Sequence, residues 1–329
     1  MIEMDPDEVR KRFGKLFSKK FLTLVDERKR MCEIIEECSV KGTVEWDVVN
    51  RLRAGGIVEK AWTDGKILHM IARIGNEPVS FGPSSIEMGG QALESVEIKN
   101  DEVYTKWAGI AGGGLGLSAC LAQSPGVKRV IYPTKKDLEE IGGAHASRVI
   151  VVTPEMQKLI VGIDDTDTKE EGATWFLALK IGEELDKMRG VEFLDHRIVQ
   201  LNPKVKNKTT NCVSICLTLA VETKKMEEIK KLVIKRVGEM TKSDDTALAI
   251  FTGIEIPAGL KEYGSKVKSE IIDLDLAKEI ASKNDVQFIK ITGEEGFIGA
   301  LASISYSMSG LEAAALFDDP ALKRKGHLQ

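Results

Sequence analysis

A mixed α+β fold in more than one domain is what the sequence predicts, on three observations. The chain has 329 residues, more than a single hydrophobic core usually serves. Strand-like runs and amphipathic helical segments alternate along most of its length. One apolar run, Leu159 to Ile163, drives straight into Asp164, Asp165 and Asp167 and then into a helix start. Side chains at the carboxyl end of such a strand sit at the mouth of an α/β crevice.

The totals bound the function. Apolar residues make up 43% and aromatics 5%, with a net charge of −4, so no global basic field draws the chain to nucleic acid or anionic lipid. No apolar run is long enough to span a membrane, and the charged start MIEMDPDEVRKRFGK lacks a signal-peptide core. Cys32, Cys38, Cys120, Cys212 and Cys216 are scattered without a CxxC pair, which points to a reducing cytoplasm rather than a zinc ribbon. His145 and His196 stand alone and read as structural.

In chain order, residues 6–38 carry Phe13, Leu16, Phe17, Phe21, Leu24 and Val25 at helical spacing and read as one or two amphipathic helices. A helix is expected at 43–53, then a hairpin turn at Trp62–Lys66 into a strand at 67–74. The Pro-, Ser- and Gly-rich stretch 77–90 reads as a loop, followed by strands at 92–98 and 102–110. The glycine run 109–119 follows a strand and precedes a short apolar helix. It could cradle phosphate through backbone amides or simply permit close helix–sheet packing. A strand at 127–132, a helix near 134–141 and a strand at 148–152 complete an N-terminal α/β domain, 1–156.

The second half opens on the apolar run. A helix at 172–188, a strand at 193–201, a half-buried strand at 212–221, a helix at 224–240 and a strand at 247–252 follow. Helix 257–268, strand 269–273, helix 274–283 and strand 286–291 suggest a ferredoxin-like unit over 244–329. Gly293–Gly296 leads into an apolar helix, Phe297 to Ile304, and the tail 320–329 reads as loose, with Lys323, Arg324 and Lys325 solvated.

Asp164, Asp165 and Asp167 are the chemical centre. Three carboxylates within four positions repel unless a cation relieves them, and Mg²⁺ favours one or two carboxylates plus phosphate oxygens and water. Strand alternation would put Asp165 and Asp167 on one side and Asp164 on the other. The competing reading is an acidic turn before a helix, with Thr168 and Glu171 as a capping box. The loop 202–211 offers Lys204, Lys206 and Lys208 as phosphate-holding charges, or a merely solvated loop.

Three segments together carry a resemblance. Ile163-Asp-Asp-Thr-Asp-Thr168, Leu201-Asn-Pro203 through Lys208-Thr209 and Asn211, and Gly296-Phe-Ile-Gly-Ala-Leu-Ala302 resemble, in order and spacing, motifs of the archaeal tRNA-Ile2 agmatinylcytidine synthetases. The version DDTDTKEEGATW, joined to the glycine-rich first half, resembles the methanogenesis marker protein 11 family more specifically. The resemblance implies a kinase-like ATP/Mg²⁺-binding domain over 157–243 and a ferredoxin-like domain over 244–329. Carried over residue by residue, it places Asp164, Asp165 and Asp167 on Mg-ATP as metal ligands and catalytic groups. It makes Gly172, Thr174, Asn202, Lys208, Asn211 and Gly296 candidate nucleotide contacts.

The departures matter. Trp175 stands where the synthetases carry a threonine that becomes phosphorylated, and Glu294-Glu295 stand where they carry an arginine. The expectation is a cytoplasmic archaeal Mg-ATP-dependent phosphoryl-transfer protein, with an unknown acceptor and a methanogenesis protein as possible partner. The alternatives are a non-catalytic nucleotide-binding partner and RNA or amine modification. Because the net charge is acidic and no zinc ribbon or tRNA-binding portion is seen after 315, tRNA is not expected as substrate.

Overall fold

The computed structural model describes residues 1–79, 81, 88–206, 208–307 and 309–323. The expected loop 77–90 and the expected loose tail thus fall partly outside the described residues, as do Arg324 and Lys325. The chain divides into two units, Met1–Met156 and Gln157–Gln329, and both mix helix and strand.

The first unit contains β1 (Ile2–Met4), α1 (Pro6–Phe13), β2 (Ser18–Asp26), β3 (Met31–Cys38), α2 (Lys41–Arg53), β4 (Val58–Asp64), β5 (Ile67–Arg73), β6 (Gly75–Asn76), β7 (Gly90–Lys99), β8 (Glu102–Ile110), α3 (Gly112–Leu115), β9 (Arg129–Tyr132), α4 (Lys135–Glu139) and β10 (Ser147–Pro154). One antiparallel sheet runs β1-β9-β10-β8-β7-β6. A second antiparallel array runs β2-β3-β5-β4. The core includes Phe21, Ile34, Met70, Leu93 and Trp107. Arg51 is buried within it, paired through both terminal nitrogens to Glu36 (2.6 and 3.1 Å), with Nε donating to Gln91 and its guanidinium 4.4 Å from the Trp107 ring.

Residues 6–38 were expected to be helical, but only α1 is. Gly14, at φ 78°, ends it, and β2 and β3 form a hairpin. Phe21 through Asp26 are all buried, so their apolar run fills both faces of a strand, where β-branched Thr23 and Val25 fit. The glycine run at 109–119 is a packing device. A Cβ on Gly113 would lie 2.2 Å from the Gly90 carbonyl oxygen, and one on Gly114 would lie 2.7 Å from Ser147 Oγ.

The second unit contains β11 (Met156–Asp164), α5 (Thr174–Leu185), β12 (Val191–Gln200), β13 (Val213–Glu222), α6 (Met226–Met240), β14 (Ala247–Thr252), α7 (Ala258–Ser269), α8 (Leu274–Lys283), β15 (Gln287–Lys290), α9 (Phe297–Ile304), α10 (Leu311–Ala314) and α11 (Pro320–Lys323). Its strands run in the order β12-β13-β11-β14-β15. On one face Leu177, Ile181, Ile229 and Val233 of α5 and α6 pack on Leu159, Val161 and Leu217. On the other, Leu260, Ala277, Phe297 and Leu301 of α7, α8 and α9 pack on Ile160, Cys216 and Ala249.

Because both faces are covered, β13 is buried from Ser214 to Val221 and is not the half-buried strand expected. A sheet buried on both faces needs no polar face. No strand forms at 269–273: α7 runs to Ser269, and Asp273 caps α8, accepting from the Leu276 amide at 2.8 Å. No helix among the described residues is long and apolar enough to cross a membrane.

Candidate functional site

The site begins in the alternation of β11. Leu159, Val161 and Ile163 enter the α5–α6 core, while Ile160 enters the α7–α9 core. Gly162, on the Ile160 side, lets α9 press against the strand: a Cβ there would lie 1.8 Å from the Ala300 carbonyl oxygen. Asp164 is the next residue on that face. A Cβ on Gly299 would lie 1.7 Å from its Oδ2, so only glycine lets α9 start beside this carboxylate.

At Asp165 the chain leaves the strand. Its φ is 52°, a left-handed conformation that Asp tolerates better than most residues. The expected alternation of the three aspartates therefore stops at Asp164. The turn is strapped from two sides. Thr246 Oγ1 donates to the Asp165 carbonyl at 2.6 Å, and the Lys242 amide donates to the Thr166 carbonyl at 2.9 Å. Buried Thr174 accepts from the Thr166 amide (3.3 Å) and hydroxyl (3.1 Å), and donates to Asp167 Oδ1 at 3.3 Å. Thr209 also donates to Asp167 Oδ1, at 3.5 Å.

Thr168 does not cap the helix. Its Oγ1 accepts from the Glu170 and Glu171 amides at 3.2 and 3.1 Å. Gly172 then turns the chain at φ 93°, and α5 begins at Thr174. The capping-box alternative thus accounts for a turn and not for the aspartates.

Burial, then the charge of Asp165, raises the Asp164 carboxyl well above the usual carboxylate range. Asp165 is pushed up to about 6 by burial and by Asp167, Asp245 and Glu295. A bound cation would relieve this crowding. Among the described residues no three His, Cys, Asp or Glu side chains close on a metal by themselves. A cation here would take its remaining ligands from phosphate oxygens and water, which suits Mg²⁺.

The aspartates form one wall of a cleft of about 570 Å³, a size usual for a small-molecule site. Gly172, Thr174 and Trp175 from the start of α5 line it next to them. Lys206, Lys208, Thr209, Thr210 and Asn211 line it as well, with Thr209 reaching Asp167. That loop is closed at its base by the Leu201 amide on the Cys212 carbonyl (2.9 Å) and by Gln200 Nε2 on the Asn211 carbonyl (2.9 Å). Helix-start amides, lysines and carboxylates around one cleft can hold an anion–cation pair such as a metal polyphosphate.

Most of the residues singled out from sequence meet here: Asp164, Asp165, Asp167, Gly172, Thr174, Lys208 and Asn211. Asn202 and Gly296 stand behind the wall. Asn202 is buried; its Nδ2 donates to the Glu270 carbonyl (3.2 Å) and its Oδ1 accepts from the Lys204 amide (3.0 Å). It ties the lysine loop to the α7–α8 connection. Gly296 allows close packing, since a Cβ there would lie 2.8 Å from the Asp245 carbonyl oxygen and 3.0 Å from that of Asp164.

No local pattern in the sequence marks Glu270, Ile271, Ile272 and Ile298, which also line the cleft. Sequence reading also missed the split roles of the Glu294-Glu295 pair. Glu294 pairs with Lys278 (2.6 Å) and Lys290 (3.4 Å), whereas Glu295 lines the cleft.

With this geometry in hand, similarity to known proteins is informative. The TiaS TCKD domain family matches residues 160–225, the stretch from β11 to the start of α6. The tRNA(Ile2) 2-agmatinylcytidine synthetase TiaS of Pyrococcus horikoshii is 30% identical over 155 residues, 46% of this chain and 36% of that enzyme. The enzyme of the same name from Methanocaldococcus jannaschii is 30% identical over 159 residues, 46% of this chain and 37% of the enzyme. This chain thus spans little more than a third of the synthetases it matches. A solved structure titled as a TiaS–tRNA(Ile2)–ATP complex is 24% identical with a TM-score of 0.42, covering 47% of this chain and 37% of that one.

These relatives correct the expectation against tRNA: enzymes aligned over nearly half the chain are, by name, tRNA-modifying. The physical reason is that a net charge of −4 summed over 329 residues does not describe the local field of a lysine loop. The Uncharacterized protein MJ0921 of Methanocaldococcus jannaschii is 38% identical over 301 residues, 92% of this chain and 97% of that protein. The chain therefore belongs to the family of MJ0921, and about half of it is related to the tRNA(Ile2) 2-agmatinylcytidine synthetases.

Proposed function

We propose that the Gln157–Gln329 unit binds Mg-ATP in this cleft and uses it to activate an oxygen of an RNA base for attack by an amine. The observation that carries the reading is the cleft itself, where carboxylates at a strand end, lysines and a helix start line one volume of about 570 Å³. The relation to the synthetases supports it. Within the unit we assign the nucleotide to residues 157–243 and the acceptor wall to 244–329, through Glu270, Ile271 and Ile298.

Asp165 and Asp167 would hold the cation, with Asp164 behind them, fixed by the Asp165 amide at 2.9 Å. A Mg²⁺ held there would supply charge neutralisation to the phosphoryl group being transferred. Lys206 and Lys208 supply positive charge to the phosphates, and Thr174 and Thr209 steer the Asp167 carboxylate. Trp175 removes the hydroxyl that is phosphorylated in the synthetases this sequence resembles. Thr174 does not replace it, being buried and already hydrogen-bonded to Thr166 and Asp167.

Phosphoryl transfer to a different acceptor is the second reading, favoured by Glu295 standing in the cleft where the synthetases carry arginine. The methanogenesis role expected from sequence has no support in the site and forms no part of the proposal. The test is to incubate the protein with Mg²⁺ and γ-labelled ATP, with and without archaeal tRNA and agmatine, beside Asp165→Asn. Phosphate release that depends on tRNA and is lost in the variant supports the reading. Release unaffected by tRNA moves it to the second reading. Tight ATP binding without turnover under all of these conditions, and also when a cell extract is added to supply other acceptors, refutes both.

A further inference from the structure

α5 opens with Thr174, Trp175 and Phe176, and the three behave differently. Thr174 turns inward, while Trp175 is 44% exposed and Phe176 48%. Two adjacent exposed aromatics at the start of a helix do not belong to the core. Trp175 lines the cleft beside Asp167 and Thr174. Its ring is braced by Phe176, edge-on at 5.7 Å and 72°. Lys180 Nζ lies 5.1 Å from the Phe176 ring, which fixes that ring in turn. His196 Nε2 lies 2.9 Å from the Trp175 carbonyl oxygen, holding the backbone beneath the indole.

The rest of the cleft is divided by chemistry. Carboxylates, lysines and hydroxyls suit a metal polyphosphate. The apolar lining includes Trp175, Ile271, Ile272 and Ile298, and Ile271 is 72% exposed. Apolar surface held open to water next to a polyphosphate-binding surface is what a ligand with a flat ring attached to phosphates would cover. Stacking on an aromatic side chain tolerates any base, because every base has a π-face.

We propose that Trp175 is the stacking platform for a planar heteroaromatic ring in this cleft, either the base of the nucleoside triphosphate or the base of the acceptor. The inference rests on the nucleotide reading above and goes beyond it, because at this place the synthetases the sequence resembles carry a threonine. It assigns Trp175 to ring recognition and leaves the phosphates to Lys206, Lys208 and the start of α5.

The test uses the full chain as wild type, Trp175→Phe and Trp175→Ala, with ATP, adenosine, cytidine monophosphate and inorganic triphosphate as probes. Intrinsic fluorescence reports whether a ring reaches this indole, and calorimetry reports affinity. A ring ligand should quench wild-type emission and leave Trp175→Phe emission unchanged, although Trp175→Phe still binds. Trp175→Ala should lose about tenfold in affinity for that ligand, the scale of one aromatic–base stack. Inorganic triphosphate, having no ring, should bind all three proteins alike.

Quenching by ATP or adenosine assigns the platform to the nucleotide. Quenching by cytidine monophosphate in the presence of saturating ATP assigns it to the acceptor. If ATP binds all three proteins equally and no ring ligand quenches wild type, the platform is refuted while the nucleotide reading stands. If triphosphate and ATP both fail to bind wild type, the nucleotide reading falls, and adenosine and cytidine monophosphate still decide the platform. Circular dichroism of Trp175→Ala, with its unfolding midpoint, separates lost stacking from lost fold.

Discussion

Gly299→Ala isolates the contact that places α9 beside the carboxylate wall. The added methyl would sit 1.7 Å from Asp164 Oδ2, 2.9 Å from its Cγ and 2.9 Å from Leu201 Cδ1. Asp164 cannot simply rotate away, because its other oxygen accepts from the Asp165 amide and Leu201 is buried. Overpacking of this kind costs about 1–3 kcal/mol. Against it stands the gain of replacing glycine by alanine within a helix, up to about 1 kcal/mol. A net loss of about 1–2 kcal/mol is expected.

Gly238 in α6 is the internal control, because its Cβ would meet only Ile291 Cγ2 at an ordinary 3.7 Å. Gly238→Ala should therefore gain about 0.5–1 kcal/mol. Urea unfolding of both variants, with Mg-ATP titration of each, gives the comparison. Gly299→Ala should lower the midpoint and weaken Mg-ATP at least tenfold; Gly238→Ala should raise the midpoint and leave binding alone. A Gly299→Ala protein as stable as Gly238→Ala, with undiminished binding, would show that α9 does not touch Asp164 as described.

Three further outcomes follow from the structure. Thr174→Val removes a hydroxyl with three hydrogen-bond contacts and should cost about 1–3 kcal/mol, with Thr174→Ser recovering most of it in the same denaturation assay. Lys208→Ala should weaken binding of ATP and inorganic triphosphate alike and flatten the salt dependence of both, with an unchanged unfolding midpoint. Asp47 in the first unit is pushed up to about 6 from 3.8 by burial. Its folded-state pKa is raised, so its contribution is intact below about pH 4 and is lost as pH rises through about 6. Asp47→Asn should therefore stabilise the protein at pH 8 by up to about 3 kcal/mol and change little at pH 4, as read by thermal unfolding at the two pH values.

How far the chain could be read depended on how local the signal was. β11 was legible because the run Leu159 to Ile163 leads into three aspartates, and the lysine loop because its charges recur at every second residue from Lys204 to Lys208. Phe21 to Val25 misled because an apolar run shows no period of its own, and helix and strand differ only in what covers them. Ser214 and Thr218 made β13 look half-buried, yet both are buried between helix layers. The left-handed turn at Asp165 is imposed by Thr246 and Lys242, some eighty residues away, and no local pattern encodes it. Asn202 was placed correctly in the loop but given the wrong neighbour: its amide reaches the Glu270 carbonyl rather than the cleft. Glu295 could have been found, since it adjoins the glycines that let α9 approach β11. Asp245 could not, because its charge reaches Asp165 only through the fold.

The central claim is that the wall of Asp164, Asp165 and Asp167 holds Mg-ATP against the lysine loop. Calorimetric titration of ATP with excess Mg²⁺ into wild type, Asp165→Asn and Asp167→Asn tests it most directly. One saturable site per chain, dependent on Mg²⁺ and weakened at least tenfold in each variant, is the expected result. No binding to wild type, or binding indifferent to both Mg²⁺ and the aspartates, would contradict it.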